Sequence, residues 1–292
     1  MKQSRVHEAR EFYMAGRFRD AERTLHEILE EDPNHAEARQ WLARTQYAMR
    51  RLREAKAEAY RALEINPELA MPHAVLGWCH VLEGKRLAEA EKEFRTAVNL
   101  DPDLAWAHTS LGWLYARQGR YAEAEAELRK AIELDTSGSA AYENLGYVYL
   151  RQKQSRDAIT MLLQAKDINP QNPISHMNLA AAYSHERRFR EAFEQYRLAF
   201  GLKPSVTAFV GLFSSWIASH RTLLVLAVVS LYVIGMLMHS LSALPFIVAV
   251  VAYFAIGGLA MLRGGHWTWA MLHFLVVLSV IALYVWLLAS GP

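Results

Sequence analysis

The stretch AWAHTSLGWLYARQGRYAEAEAELRKAIELDT, residues 105–136, decides how the chain is read. Its first half carries Leu111-Gly112 with Tyr115 three residues on, and its second half carries Ala124, Leu128 and Ala131 at i, i+4, i+7, the spacing of one helix face. Gly119 stands between the halves and supplies a turn. Small residues let two helices cross closely and large ones fill the gaps, so the stretch predicts a helix–turn–helix unit.

The unit recurs. Pro33, Pro67, Pro102, Pro170 and Pro204 follow at steps of 34, 35, 68 and 34, with Thr136 at the skipped place. Ahead of each lies an alanine, Ala21, Ala55, Ala90, Ala124, Ala158 or Ala192, opening the same A-x3-[large or Ala]-x2-[Ala or Ile] pattern. Upstream stand Leu76-Gly77, Leu111-Gly112 and Leu145-Gly146, with the variants Leu42-Ala43 and Leu179-Ala180. Gly16, Gly84 and Gly119 mark the turns, and proline stops each second helix. One residue is extra between Gly84 and Ala90, and the turn there is expected to absorb it. The first copy is degenerate, with Glu8-Ala9 where Leu-Gly belongs, and reads as a polar N-terminal cap.

These residues resemble the tetratricopeptide repeat. Six copies, 2–35, 36–69, 70–104, 105–138, 139–172 and 173–206, cover most of the chain. The resemblance implies an all-α superhelical solenoid whose concave face holds a peptide, helix or protein surface. On that reading Trp78, Trp113 and Tyr147, each directly after its glycine, form a ladder in the groove, and Met71 and Trp106 share a second groove position. Glu143, Asn144 and Asn178 complete the candidate set. Some tetratricopeptide proteins clamp acidic chaperone tails with groove lysine, asparagine and arginine. Here Asn144 and Asn178 match, but Glu143 and Met177 precede them and groove lysines are missing. The alternative for the aromatics is packing between repeats.

Little in the chain suggests chemistry. His73, His108 and His176 recur at one repeat position, but stacked helices lie about 8–10 Å apart and a shared zinc needs nitrogens within about 2.1 Å. Cys79, the single cysteine, reads as a buried thiol. Three His-Glu pairs lack the second histidine of a zinc-protease helix. The chain has no phosphate-binding loop and no nucleophile elbow. No enzyme, metal or cofactor is expected. Before Val206 the 30 basic side chains balance 30 acidic ones, so nothing points to nucleic acid.

After Val206 the composition changes. Residues 207–220 form an amphipathic segment that either caps the last repeat or lies at a bilayer interface. Three apolar stretches follow, about 222–239, 244–262 and 267–289, in a region whose only charges are Arg221 and Arg263. Spanning about 30 Å of hydrocarbon takes about 20 residues, and the tolerated range begins near 17, so each stretch is read as a transmembrane helix. Positive charge favours the cytoplasmic side, which predicts an integral protein of the cell's inner (cytoplasmic) membrane with the repeats in the cytosol and the C-terminus opposite. The start MKQSRVHEAREFY agrees, since its charges run throughout and leave no apolar core for a signal peptide. His266 and His273 fall on one face of the third stretch, and His273 is the intramembrane candidate. The whole predicts a membrane-anchored interaction scaffold that binds a protein or peptide in its groove and the bilayer through its C-terminal helices. The alternative is a subunit of a membrane transport, secretion or redox complex, with the bundle as the working part.

Overall fold

The structure is a computed structural model that describes residues 2–219 apart from Lys85. The three apolar stretches and His273 lie outside the described residues. No helix among the described residues is long and apolar enough to cross a membrane.

Thirteen helices follow one another among the described residues. The first pairs are α1 (Lys2–Met14) with α2 (Phe18–Glu31), α3 (Ala36–Ala48) with α4 (Leu52–Ile65), and α5 (Ala70–Gly84) with α6 (Leu87–Leu100). Then come α7 (Ala105–Gln118) with α8 (Tyr121–Leu134), α9 (Ser139–Arg151) with α10 (Ser155–Ile168), and α11 (Pro173–His185) with α12 (Phe189–Leu202). The last is α13 (Val206–Ser219). Each helix packs on its partner and on the first helix of the next pair, and the odd helices also touch one another, α3 on α5, α5 on α7, α7 on α9 and α9 on α11. The odd helices therefore form the inner layer. Ten residues of α5 are buried, as a helix covered on several sides requires, whereas α8 buries only Ala124, Leu128 and Ala131.

Close crossing within each pair depends on the Leu-Gly glycines. A Cβ on Gly112 would stand 2.6 Å from Leu128 Cγ, and one on Gly146 2.5 Å from Leu162 Cγ. Phe94, Leu128 and Leu162 are fully buried against these glycines, and burying a side chain of that size contributes about 1.5–3 kcal/mol.

Turns within the pairs depart from the glycine expectation. Gly16 and Gly119 have φ of 73° and 80°, but Gly84 ends α5 and is not among the positive-φ residues. At the corresponding places Arg50, Lys153 and Arg187 take φ of 63°, 63° and 58°. The helix-closing motif sets this geometry: a backbone N–H returns to the carbonyl five residues back, as from Arg51 to Gln46, Arg120 to Tyr115 and Gln154 to Tyr149. In the third repeat the returning bond runs from Arg86 to His80, six residues back, so the extra residue enlarges that turn.

Between pairs, an Asp or Asn ahead of the proline, or of Thr136 where the proline is missing, has a part that the proline spacing alone did not reveal. Asp32, Asn66, Asp101, Asp135 and Asn169 each accept a hydrogen bond on Oδ1 from the backbone N–H two residues on. The repeated histidines complete the same joint. His108 Nε2 and His176 Nε2 reach the Pro102 and Pro170 carbonyls at 2.9 Å, while their Nδ1 atoms face Glu127 and Gln195. Arg39 makes the equivalent contacts to the Pro33 carbonyl and Glu58 in the second repeat. These side chains tie an inner helix to the loop before it and the outer helix after it.

Candidate functional site

Aromatic side chains from successive inner helices meet on one face. Trp78 and Trp113 have ring centroids 4.7 Å apart. Tyr47 lies 6.2 Å from Trp78 and 6.1 Å from Trp106, so four rings from α3, α5 and α7 form a continuous run. Trp78 is anchored further by its Nε1, which donates to Ser110 Oγ at 2.8 Å, and by Phe94 below it at 5.6 Å. All four rings of the run are half-buried. Burial pushes the Tyr47 phenol up to about 12, so it stays a neutral donor.

Other predicted groove residues sit differently. Met71 is buried, 8% exposed, in one cluster with Val6, Trp41 and Leu42. Tyr147 is half-buried beneath Arg151, with the guanidinium 5.9 Å from its ring, and no ring contact links it to Trp113 among the described residues. The Glu143 carboxylate accepts from Ser175 Oγ at 2.7 Å and from Asn172 Nδ2, so it bridges α9 to the start of α11. Burial raises its pKa, against the lowering effect of those two bonds. Asn144 and Asn178 are half-buried, with no hydrogen bond from either amide to a described residue.

Arginines were the residues that following the rings alone missed. The Arg44 guanidinium lies 4.6 Å from Trp106, 4.8 Å from Tyr13 and 5.1 Å from Trp41. Its Nε is buried without a hydrogen-bond partner. Arg10 covers Trp41 at 5.1 Å and Arg117 covers Trp113 at 5.9 Å. Among the described residues none of Arg10, Arg44, Arg117 and Arg151 has a carboxylate partner, whereas Arg120 pairs with Glu91 and Glu123. The signal was present in the period: Arg10 and Arg44 precede Trp78 at successive steps of 34.

The single cysteine is held as a buried thiol. Burial pushes the Cys79 thiol up to about 12, and its Sγ faces the Leu52 carbonyl. No cluster of three or more His, Cys, Asp or Glu able to hold a metal occurs among the described residues.

The comparisons with known proteins agree with the repeat fold. Family profiles described as Tetratricopeptide repeat match residues 12–79, 80–139, 109–173 and 143–206. No curated protein sequence matches significantly. Among solved structures, the APC/C hetero-tetramer Cut9–Hcn1 matches with TM-score 0.65 at 17% identity over 74% of this chain and 43% of that one. This chain thus spans less than half of that relative. PilW, described as a widely conserved type IV pilus biogenesis factor, matches with TM-score 0.56 at 20% identity over 72% of this chain and 98% of its own. A thermophilic tetratricopeptide-repeat protein of Thermus thermophilus matches with TM-score 0.53 at 24% identity over 63% of this chain and 100% of its own. At such identities the likeness is one of fold. With six antiparallel helix pairs and family profiles running from residue 12 to 206, the chain belongs to the tetratricopeptide-repeat family.

Proposed function

We propose that the chain is a protein-interaction scaffold that seats a segment of a partner on the inner face of its repeats, at a membrane to which its C-terminal region tethers it. One observation carries the groove reading: the run Trp106, Tyr47, Trp78, Trp113 crosses three repeats and stays half-buried throughout. Aromatic side chains in semi-enclosed sites dominate binding hot spots, and a solenoid presents such a run as one continuous surface. Support for the tether is compositional, resting on three apolar stretches in 222–289 interrupted by a single arginine.

Both halves are tested on the full chain. A photo-crosslinking residue at Trp113 should capture a partner segment that the same residue at Lys130, on the outer helix α8, does not. Replacing Trp78 and Trp113 together by Ala should abolish capture at a neighbouring groove position. Equal capture from both faces sinks the groove reading. Alkaline carbonate should leave the chain in the membrane pellet, and its release to the supernatant sinks the tether.

A further inference from the structure

Successive helices alternate in direction, so the turns within pairs gather along one edge of the repeats and the joints between pairs along the other. Ion pairs link neighbouring turns: Arg51 at the second reaches Glu22 beyond the first at 2.7 Å, and Arg120 at the fourth reaches Glu91 beyond the third at 2.8 Å. The two edges carry opposite charge. Five joints, 30–37, 64–71, 99–106, 133–140 and 167–174, hold 11 acids and no lysine or arginine. The turns at 13–20, 47–54, 116–123, 150–157 and 184–191 hold 13 bases and 6 acids, and the longer third turn, 81–89, balances at two of each.

Pairing sharpens the difference. Asp20, Glu123, Glu186 and Glu191 are each held by an arginine of the same edge. In those five turns Glu54 and Asp157 are the acids left without an ion pair among the described residues, against eight bases. Lys153, Arg187 and Arg190, three of the eight, stand exposed on the last two turns. The final helix returns to this edge: Phe209 meets Phe200 with ring centroids 6.3 Å apart, and Gly211 lies under Tyr196, so α13 runs antiparallel to α12. The first apolar stretch begins at 222, three residues beyond α13, with Arg221 between.

We propose that the corner of the basic edge formed by the turns of repeats five and six rests on anionic lipid headgroups, as a second attachment beside the tether. The inference rests on the tether reading, which begins a membrane span three residues after α13, and it adds the charge that the lipid surface carries. Anionic lipid gives a membrane a negative surface potential that attracts basic groups within about a Debye length, about 10 Å at 0.1 M salt. The same potential repels the acidic edge, so the two edges together fix which way the repeats face.

Energy transfer to a rhodamine-headgroup lipid tests this on the full chain reconstituted in vesicles. The donor dye sits on Gln154→Cys at the basic edge or on Gln171→Cys at the acidic edge, and buried Cys79 stays unlabelled. Replacing about a third of the phosphatidylcholine by phosphatidylglycerol should raise transfer from Gln154→Cys about twofold and leave Gln171→Cys unchanged. Salt at about 1 M, where the Debye length is about 3 Å, should return Gln154→Cys to its phosphatidylcholine value. Lys153→Glu, Arg187→Glu and Arg190→Glu together should do the same at low salt, and the salt arm carries the result if that variant misfolds. Equal transfer from Gln154→Cys in the two lipids, an equal response from Gln171→Cys, or a response that survives high salt overturns the edge, while flotation with both vesicles leaves the tether standing. A chain that floats with neither loses both. Binding of a labelled oligonucleotide through the same three bases, without a lipid response, would assign the edge to nucleic acid and overturn the proposal.

Discussion

Gly77 and Phe94 occupy one space: a Cβ placed on the glycine would stand 2.5 Å from Cε1 of the phenylalanine. The same pairing recurs as Gly112 with Leu128 and Gly146 with Leu162. Where the second repeat has Ala43 in place of glycine, the residue four after its outer-helix alanine is Ala59, and both small residues lie in one buried cluster. A helix of this family thus trades size across the crossing, small against large or small against small.

Alanine at these glycines is expected to destabilise despite its better helix propensity. Overpacking costs about 1–3 kcal/mol, against a propensity gain of about 0.5–1 kcal/mol. Gly112→Ala should cost most, since its added Cβ would also meet the Ala124 backbone oxygen at 3.2 Å, which cannot rotate away. Thermal denaturation of the repeat region ranks the three, and an unchanged melting temperature for Gly112→Ala would refute the crossing account.

Turn residues give a signed pair. Lys153 holds φ at 63° and Gly119 at 80°, the left-handed region that costs a residue with a Cβ about 1–2 kcal/mol. Lys153→Gly should therefore be neutral to stabilising by a few tenths of a kcal/mol, once glycine's larger unfolded-state entropy is counted. Gly119→Ala should destabilise by about 1 kcal/mol. Urea denaturation midpoints check the signs.

The period and the small–large spacing were legible because each repeat must bury the same stripe against its neighbours. Gly84 misled because the closing motif, not the residue type, sets a positive φ, and the added residue in that repeat changes the closure. The contact between Trp78 and Trp113 was legible in their shared repeat position, and Trp106 joins the same run of rings through Tyr47. Met71 shares Trp106's position but is covered from the preceding repeats, and sequence position carries no record of that neighbour. Arg44 was hidden because reading only aromatics after glycine skips the repeat whose glycine is alanine, and Tyr47 because it stands three residues beyond that position, where the later repeats carry no aromatic.

His108 should make folding pH-dependent. Both its partners, Glu127 and the Pro102 carbonyl, accept hydrogen bonds, so only the imidazolium satisfies both. The bond to Glu127 is the largest cause raising its pKa above 6.5, desolvation opposes it, and the carbonyl adds to the rise. A raised value means stabilisation that is complete below the unfolded pKa and is lost as pH climbs through the folded one. The melting temperature should fall between about pH 6 and 8 more steeply in the native chain than in His108→Gln. Parallel curves would remove His108 as the cause.

Glu143 should act with an acid's version of the same sign. Its folded pKa is raised, chiefly by burial, so the folded state holds the proton more tightly than the unfolded chain does. Stability therefore falls as pH rises through the unfolded carboxyl value, and the penalty is complete above the folded one. Glu143→Gln keeps an oxygen for Ser175 and Asn172 and removes the buried charge. It should melt higher than the native chain at about pH 7, and the gain should shrink as pH approaches about 4. A variant less stable than the native chain at neutral pH would show that the ionised bridge stabilises the α9–α11 joint.

The last helix among the described residues, α13, has two unlike faces. Its small residues turn inward: Ala208 is fully buried, Ser215 is 3% exposed, and Gly211 lies under the Tyr196 ring of α12. Several large ones turn outward, with Val206 80%, Phe209 55% and Val210 57% exposed, although Phe209 keeps a ring contact with Phe200. A close seat on Tyr196 and an apolar outer stripe suit a helix that covers the repeat end and lies on lipid with its other side. A chain ended at Ser219 should consequently sediment with phosphatidylcholine vesicles. Phe209→Ser with Val210→Ser should release it by about tenfold or more, since burying each such side chain contributes about 1.5–3 kcal/mol. The double variant should melt within about a degree or two of its parent, because both side chains are largely exposed in the fold. Ending the chain at Pro204 instead uncovers Tyr196 and should lower the melting temperature. Vesicle binding unaltered by the double substitution, with stability lost, would place the stripe in the fold and not on the lipid.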